Sequence, residues 1–255
     1  MSNAGSVDIL WTGGWDSSFR VLSLALTEKA TVQPHYIIDL GRLSSLRELQ
    51  AINDIRQCLA RFDSQASQRI KPTIITSIND IPPDQAITQS YRRLKSRAHL
   101  GSQYDWLARY AQFRNLTTLE LSVHIDDKAY FFLQGQVTPA ASGHWALKRS
   151  GDSQEDDLHI FANYRFPVLM LTKEQMRQRA MEQGFIALLE KSWFCFTPRA
   201  GQPCGLCNPC RYSIEEGMSY RLPRASRLRY RFRYPIQFLA STYGLSKMLA
   251  KRALS

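Results

Sequence analysis

A chain of 255 residues with 44% hydrophobic content has the apolar mass for a buried core, which excludes a disordered or fibrous protein. No run approaches the roughly 20 apolar residues of a bilayer span, and no charged-then-apolar leader opens the chain, so a cytoplasmic protein with no transmembrane segment is expected. The net charge of +11 is concentrated: from Ser219 onward there are nine lysines and arginines and no Asp or Glu, leaving a body near +2.

Ser2-Asn3-Ala4 reads as a vector-derived remnant, so the fold reading starts near Gly5. In chain order, 7–11 (VDILW), 35–39 (HYIID), 72–77 and 117–123 are short apolar runs with β-branched or aromatic content, the pattern of buried strands. Between them, 16–28 and 45–61 carry helical spacing, with Leu46, Leu49, Ile52, Ile55 and Leu59 recurring at three and four residues. A longer helical region covers 84–115, with a break near His99-Leu100-Gly101. Alternating strands and helices predict an α/β fold, a mostly parallel sheet with helices on both faces. Ligands of such sheets bind beyond the carboxyl ends of the strands. The segment 128–165 breaks the alternation, with AYFFLQ and LHIFANYRF flanking a polar stretch; it reads as an inserted hairpin or lid.

The first strand runs into Thr12-Gly13-Gly14-Trp15-Asp16-Ser17-Ser18 and then a helix. Helix amides point outward at a positive end there, glycines admit close approach to the backbone, and three hydroxyls supply donors. This pattern suits an anion, phosphate above all. It equally suits a plain strand-to-helix turn with Asp16 or Ser17 as the N-cap. It is neither a Walker loop nor a dinucleotide fingerprint, since the Gly-Lys-Ser/Thr ending and the third glycine are missing.

Four of the five cysteines, Cys195, Cys204, Cys207 and Cys210, fall within sixteen residues in a C-x8-C-x2-C-x2-C spacing. Four thiolates so placed suit tetrahedral Zn²⁺ in a structural role. An iron–sulfur cluster is chemically suitable too, and disulfides are disfavoured in a reducing compartment.

The glycine turn resembles the pyrophosphate loop of the adenine nucleotide alpha-hydrolase superfamily, the N-type ATP pyrophosphatases, whose pattern is Ser-Gly-Gly-x-Asp-Ser-Ser/Thr; Thr12 replaces the first Ser and keeps the hydroxyl. With the cysteine spacing added, the chain resembles the 7-cyano-7-deazaguanine synthase branch of that superfamily over residues 7–216. Further matching residues are Glu48 and Ala51 after the second strand, Pro167, Thr172 and Lys173 in FPVLMLTKEQM, and Trp193 with Cys195 in KSWFCFTP.

The resemblance implies a PP-loop α/β domain over 5–190 and a zinc motif over 191–218, and the charge distribution adds a basic extension over 219–255. It further implies an enzyme that uses ATP and Mg²⁺ to adenylate a carboxylate or amide of a 7-deazaguanine-type substrate, releasing pyrophosphate. Thr12, Gly13, Gly14, Ser17 and Ser18 would hold phosphate, Asp16 would orient Mg²⁺ or the loop, and Asp39 would join the ATP site. Lys173 would neutralise charge on the leaving pyrophosphate, making Asp16, Ser17 and Lys173 the catalytic set. Arg42, Gln103, Asp126 and Trp193 are the candidate substrate contacts. The chain departs from the family at Leu40-Gly41-Arg42, where the family has Tyr-Gly-Gln, and at HLGSQYDWLARYA, which replaces Val-Pro-Gly-Arg-Asn. Gly101 to Tyr104 in the latter form either a binding turn or a helix cap. A relative that attaches a deazapurine to a protein or nucleic acid, and a tRNA-modifying member, are the alternatives.

RLPRASRLRYRFRY, at 221–234, alternates arginine with aromatic residues. It suits a nucleic-acid contact, an edge strand with one apolar face, or packing on the body or a second copy of the chain. Ile236, Leu239, Tyr243 and Met248 suggest an amphipathic helix beyond it. The five histidines show no metal-like spacing, and HIDD at 124–127 reads as a strand-end turn.

Overall fold

The computed structural model describes residues 5–39, 41–140, 143–148 and 156–233. It divides into two compact units, one of residues up to 40 plus 48–193, the other of residues 41–47 plus 194 onward. The predicted helix over Ile236–Met248 and the residue Leu40 lie outside the described residues.

The first unit is built on β1 (Val7–Leu10), α1 (Trp15–Leu22) continuing as a π-helical turn to Thr27, β2 (Val32–Ile38), α2 (Ser45–Phe62) from Glu48 on, α3 (Ser64–Arg69) and β3 (Ile74–Ser77). Next come α4 (Gln85–Arg97), α5 (Gln103–Phe113), β4 (Leu119–Glu120) and α6 (Tyr130–Leu133). The hairpin strands β5 (Val137–Pro139) and β6 (Trp145–Leu147), β7 (Tyr164–Arg165), α7 (Lys173–Glu182) and α8 (Ile186–Leu189) complete it. The sheet has the order β3-β2-β1-β4-β7, every pairing parallel. The α/β fold with a parallel sheet and covering helices is therefore present, and the predicted break in 84–115 falls between α4 and α5.

Alternation along the strands shows that both faces are covered. Tyr36 donates its hydroxyl to Glu48 of α2 at 2.9 Å, while its neighbour His35 makes a 2.6 Å hydrogen bond with Tyr110 of α5. Likewise Leu10 joins the core formed with α4, α5 and Phe161, and α1 packs across α7 and α8, with Phe19 and Phe185 ring centroids 5.9 Å apart. In α2 the helical stripe holds for Ile52, Ile55 and Leu59, but Leu46 is 79% exposed because it lies on the face opposite the buried Ser45, Glu48, Ala51 and Ile52.

The segment 128–165 differs from the sequence reading. A hairpin exists, but its strands come from within the polar stretch, whereas AYFFLQ supplies α6 and 156–161 is a 3₁₀ turn. Its last residues form β7, the edge strand of the main sheet. Trp145 bridges to Phe166, so the hairpin is tied to that edge by backbone hydrogen bonds.

Arg20 of α1 anchors β4. Both residues are buried, and the guanidinium reaches the Glu120 carboxylate bidentately at 2.7 and 2.8 Å. Glu28 pairs with the same guanidinium, and His144 lies 2.9 Å from it, next to β6. Two buried opposite charges that satisfy each other's hydrogen-bonding capacity fix α1, β4 and the hairpin in one arrangement.

The second unit contains the cysteine loop, α9 (Asn208–Glu215) and α10 (Arg224–Arg231). The edge strand offered by the arginine–aromatic alternation is thus replaced by a helix. Its buried residue Ser226 donates to the Pro203 carbonyl, and Arg229 donates to the Cys204 carbonyl at 2.7 Å. Gly205 makes this docking possible: with φ +81, a Cβ there would stand 2.1 Å from the Ser226 carbonyl oxygen.

Candidate functional site

The order β3-β2-β1-β4-β7 reverses direction at β1, whose neighbours are reached by connections running opposite ways, and crevices at such points take ligands. The Thr12–Ser18 turn leaves the carboxyl end of β1 there. Its N-cap is Gly14, in extended conformation and with no side-chain cap, so neither Asp16 nor Ser17 serves as the cap that a plain turn would use. The first-turn amides of α1 keep their positive end without a capping side chain.

Gly13 needs to be glycine twice over. Its φ is +69, and a Cβ would lie 2.7 Å from the Glu48 carbonyl oxygen of α2. Its own carbonyl accepts from the Trp193 amide at 2.8 Å, which places Trp193, half-buried, directly beside the turn. Thr12 and Ser17 face each other across the loop with hydroxyl oxygens 3.2 Å apart, and the Gly14 amide donates to Thr12 Oγ1. Ser18 plays a different part, since it is fully buried and its hydroxyl accepts from the Trp11 indole at 3.0 Å. Asp39 follows the carboxyl end of β2 on the same side of the sheet.

Asp16 is the electrostatic focus. Its Oδ1 is buried with no hydrogen-bond partner, and burial pushes its carboxyl above the ordinary value, against the pull of His124 and Lys173; Asp127 pushes the same way as burial. Lys173 stands at the first position of α7, held by a capping box in which Thr172 and Gln175 exchange hydrogen bonds.

His124, absent from the predicted set, is 5% exposed and lies between two acids: Nε2 is 4.0 Å from Asp16 and Nδ1 is 3.9 Å from Asp126. The Asp126 amide donates to Nδ1, so the neutral ring carries its proton on Nε2, toward Asp16. Its place just past the end of β4 is the signal that marks it in the sequence. Asp126 is exposed and lines a cleft of about 460 Å³ with His99, Asp127, Tyr130 and Phe131. Asp127 makes the expected turn, accepting from the Ala129 amide at 2.8 Å. Gln103 is the first residue of α5, exposed and folded over Gly101, so this stretch forms a helix start.

In the second unit, Arg42 sets its guanidinium 5.1 Å from the Phe196 ring centroid. The four cysteine sulfurs lie within 4.8 Å of one another, close enough to hold a metal ion. The Cys204–Cys210 and Cys195–Cys207 separations are both 3.8 Å, far beyond a disulfide's roughly 2.05 Å and equal to the edge, about 3.8 Å, of a tetrahedron with metal–sulfur bonds of about 2.3 Å. Backbone N–H groups support the sulfurs, Cys204 donating to Cys195 and both Leu206 and Cys207 donating to Cys204. Crowding eases ionisation of Cys207 and opposes that of Cys195 and Cys210. Neighbouring S–H groups hold the Cys207 thiol down, while Cys195 is pushed up to about 12 and Cys210 is raised as well. A divalent cation removes that opposition.

Fold and site define a parallel α/β protein with an uncapped, hydroxyl-lined glycine turn at its switch point and a separate four-thiolate module. No protein-family model matches the chain, and no curated protein matches it. Among the described residues no helix is long and apolar enough to cross a membrane.

Proposed function

We propose that the chain is an ATP-dependent adenylating enzyme that releases pyrophosphate, acting on a carboxylate or amide of a 7-deazaguanine-type substrate. One observation carries the reading: the turn at the switch point combines uncapped helix amides, a left-handed glycine pressed against α2, and the facing hydroxyls of Thr12 and Ser17. That is a cradle for a polyphosphate.

Around it the residues have separable tasks. The α1 amides and Ser17 bind phosphate oxygens, and Lys173 neutralises charge as pyrophosphate leaves. Asp16 suits a Mg²⁺ partner, because a bound cation would satisfy its buried, unpartnered Oδ1 and relieve its desolvation. Held by Asp16, Mg²⁺ would supply positive charge that offsets the negative charge of a bound polyphosphate. The Asp126-lined cleft offers room for the acceptor, and its Tyr130 and Phe131 offer faces for a planar ring. In the second unit Zn²⁺ suits the four thiolates, and with all four positions filled by protein its role is structural.

The test is AMP and pyrophosphate release from ATP with Mg²⁺ and ammonia, with and without 7-carboxy-7-deazaguanine, followed by mass spectrometry. A nitrile or amide product with stoichiometric AMP is expected. ATP binding with no turnover rejects this acceptor. Absence of ATP binding rejects the whole reading.

A second reading keeps the adenylation and changes the acceptor to a protein or nucleic acid. The loss of the family's Tyr-Gly-Gln, with Arg42 instead stacked on Phe196, favours it. A mass increase on an acceptor macromolecule incubated with ATP and deazapurine would distinguish the two.

A further inference from the structure

The described part of the second unit, 41–47 and 194–233, carries ten arginines, no lysine and only two acids, Glu215 and Glu216. Glu215 accepts from the Tyr230 hydroxyl at 3.0 Å, so it is already engaged. A surface that needed charge only for solubility would accept lysine as readily. Arginine adds a planar fork that grips phosphate and a flat face that stacks on rings.

Stacking already occurs here. Arg42 lies over Phe196, Arg221 over Phe194 at 5.0 Å, and Arg233 over Tyr230 at 4.1 Å. Large rings are also exposed in this unit, Phe196, Tyr212, Tyr220 and Phe232, at 41 to 54%. Such rings interleaved with cations are out of place on a plain solvated face.

α10 gives the surface its geometry. Ser226 and Arg229 fasten one side to the Pro203 and Cys204 carbonyls of the cysteine loop. The opposite side presents Arg224, Arg227 and Arg231, all exposed, at helical spacing, with Leu228 and Phe232 beside them. They span about 10 Å of helix axis on an element held in place by the metal-binding loop.

We propose that this face binds single-stranded nucleic acid, with Arg224, Arg227 and Arg231 on consecutive phosphates and the exposed rings stacking on bases. Charge complementarity selects a polyanion, and the exposed rings select one with flat, unpaired bases over a lipid surface. The binding is independent of the adenylation chemistry and requires no ATP, so its failure and that reading's failure are told apart.

The experiment uses the full chain and fluorescein-labelled 20-nucleotide single strands of RNA and of DNA with the same sequence. Anisotropy is read from 50 to 300 mM salt without ATP, with vesicles containing phosphatidylserine as the competing surface. Binding to one or both strands is expected. The triple variant Arg224→Gln/Arg227→Gln/Arg231→Gln should bind at least tenfold more weakly, with the slope of log K against log salt reduced by about two, since each single-strand phosphate contributes about 0.7. The triple Arg→Lys variant at the same positions should keep most of the slope. Unchanged affinity and slope in the Gln variant overturn the proposal, as does wild-type binding to vesicles with none to either strand. Metal content and melting temperature of each variant check the fold. Should the triple variant fail that check, Arg227→Glu alone carries the same test, and an unchanged affinity again overturns the proposal.

Discussion

The Nε2 of His124 lies 4.0 Å from Oδ2 of Asp16, and the Asp126 amide on Nδ1 turns the ring's proton toward that carboxylate. Asp16 is therefore approached by a histidine and by the Lys173 charge, yet burial still lifts its carboxyl above the ordinary range. The site keeps a poorly solvated acid beside the Thr12–Ser18 turn. Such a group costs the free protein stability and is useful only when a ligand satisfies it. Asp16→Asn should raise stability to urea by roughly 1 kcal/mol while abolishing pyrophosphate release. A variant that loses stability and keeps its turnover would remove Asp16 from the site.

Gly13→Ala tests the backbone of the turn. The substitution meets a positive φ and the Glu48 carbonyl oxygen at 2.7 Å together. A loss of about 2 to 3 kcal/mol in chemical denaturation is expected, with ATP binding weakened through displacement of the turn. Alanine at the neighbouring Gly14, where φ is ordinary and Thr12 Oγ1 lies at 3.2 Å, should cost less. Equal costs at the two positions would contradict the assigned packing of the turn on α2.

The parallel fold was legible because its strands are buried on both faces and so read as short apolar runs: Ile9, Leu10 and Trp11 are all buried, and the run is visible without alternation. The glycine turn was legible as well, because hydroxyls and glycines at a strand end are local in sequence. The Arg20–Glu120 pair was not, since one hundred residues separate partners that composition shows only as two charges. For His124 the sequence offers only a place past a strand end, because its meaning comes from Asp16, more than a hundred positions away. In α10 the alternating arginines and rings mimic a strand, and the outcome was decided by Ser226 and Arg229, three apart, docking on Pro203 and Cys204. β7, with two residues, is too short for any periodicity to mark.

Glu120→Ala should be among the most damaging substitutions in the first unit. It leaves Arg20 buried without its bidentate partner, with His144 2.9 Å away. Breaking a buried pair by removing one member costs about 3 to 5 kcal/mol, while replacing both members with apolar residues of similar volume recovers most of that. Urea unfolding of Glu120→Ala and of Arg20→Met/Glu120→Leu makes the comparison. A single-variant loss under about 1 kcal/mol would mean that the pair does not hold α1 to β4.

Stability should also fall on mild acidification. Burial lowers the basicity of His35, despite Asp8, and of His144, despite Glu120. Below the ordinary histidine value of about 6.5 the unfolded chain takes up protons that these folded rings resist, so stability is complete above that pH and declines as pH drops toward their depressed folded values. Asp16 acts in the opposite sense, because a raised carboxyl costs stability as pH rises from its ordinary 3.8. The slope is best measured in Asp16→Asn protein, from urea midpoints between pH 7.5 and 5.5. His144→Gln should flatten it, and an unchanged slope would assign the effect to His35 alone.

Metal removal distinguishes a structural centre from a decorative cysteine cluster. The sulfur separations of 3.8 Å match one tetrahedral ion, and the thiols of Cys195 and Cys210 resist ionisation beside a Cys207 thiolate until a cation compensates. The same loop supplies the Pro203 and Cys204 carbonyls that hold α10, so losing the ion should release the helix as well as the sulfurs. Purified protein should contain about one zinc per chain, and Cys207→Ser should abolish it. Hydrogen exchange should then speed up across α9 and α10, because structural zinc contributes on the order of 10 kcal/mol to the loops it closes. Oligonucleotide binding should weaken in parallel, since Arg224, Arg227 and Arg231 would lose their fixed spacing. Metal-free protein that kept both its exchange protection and its affinity would show that hydrogen bonds from Ser226 and Arg229 suffice to hold α10, and the centre would lose its structural role.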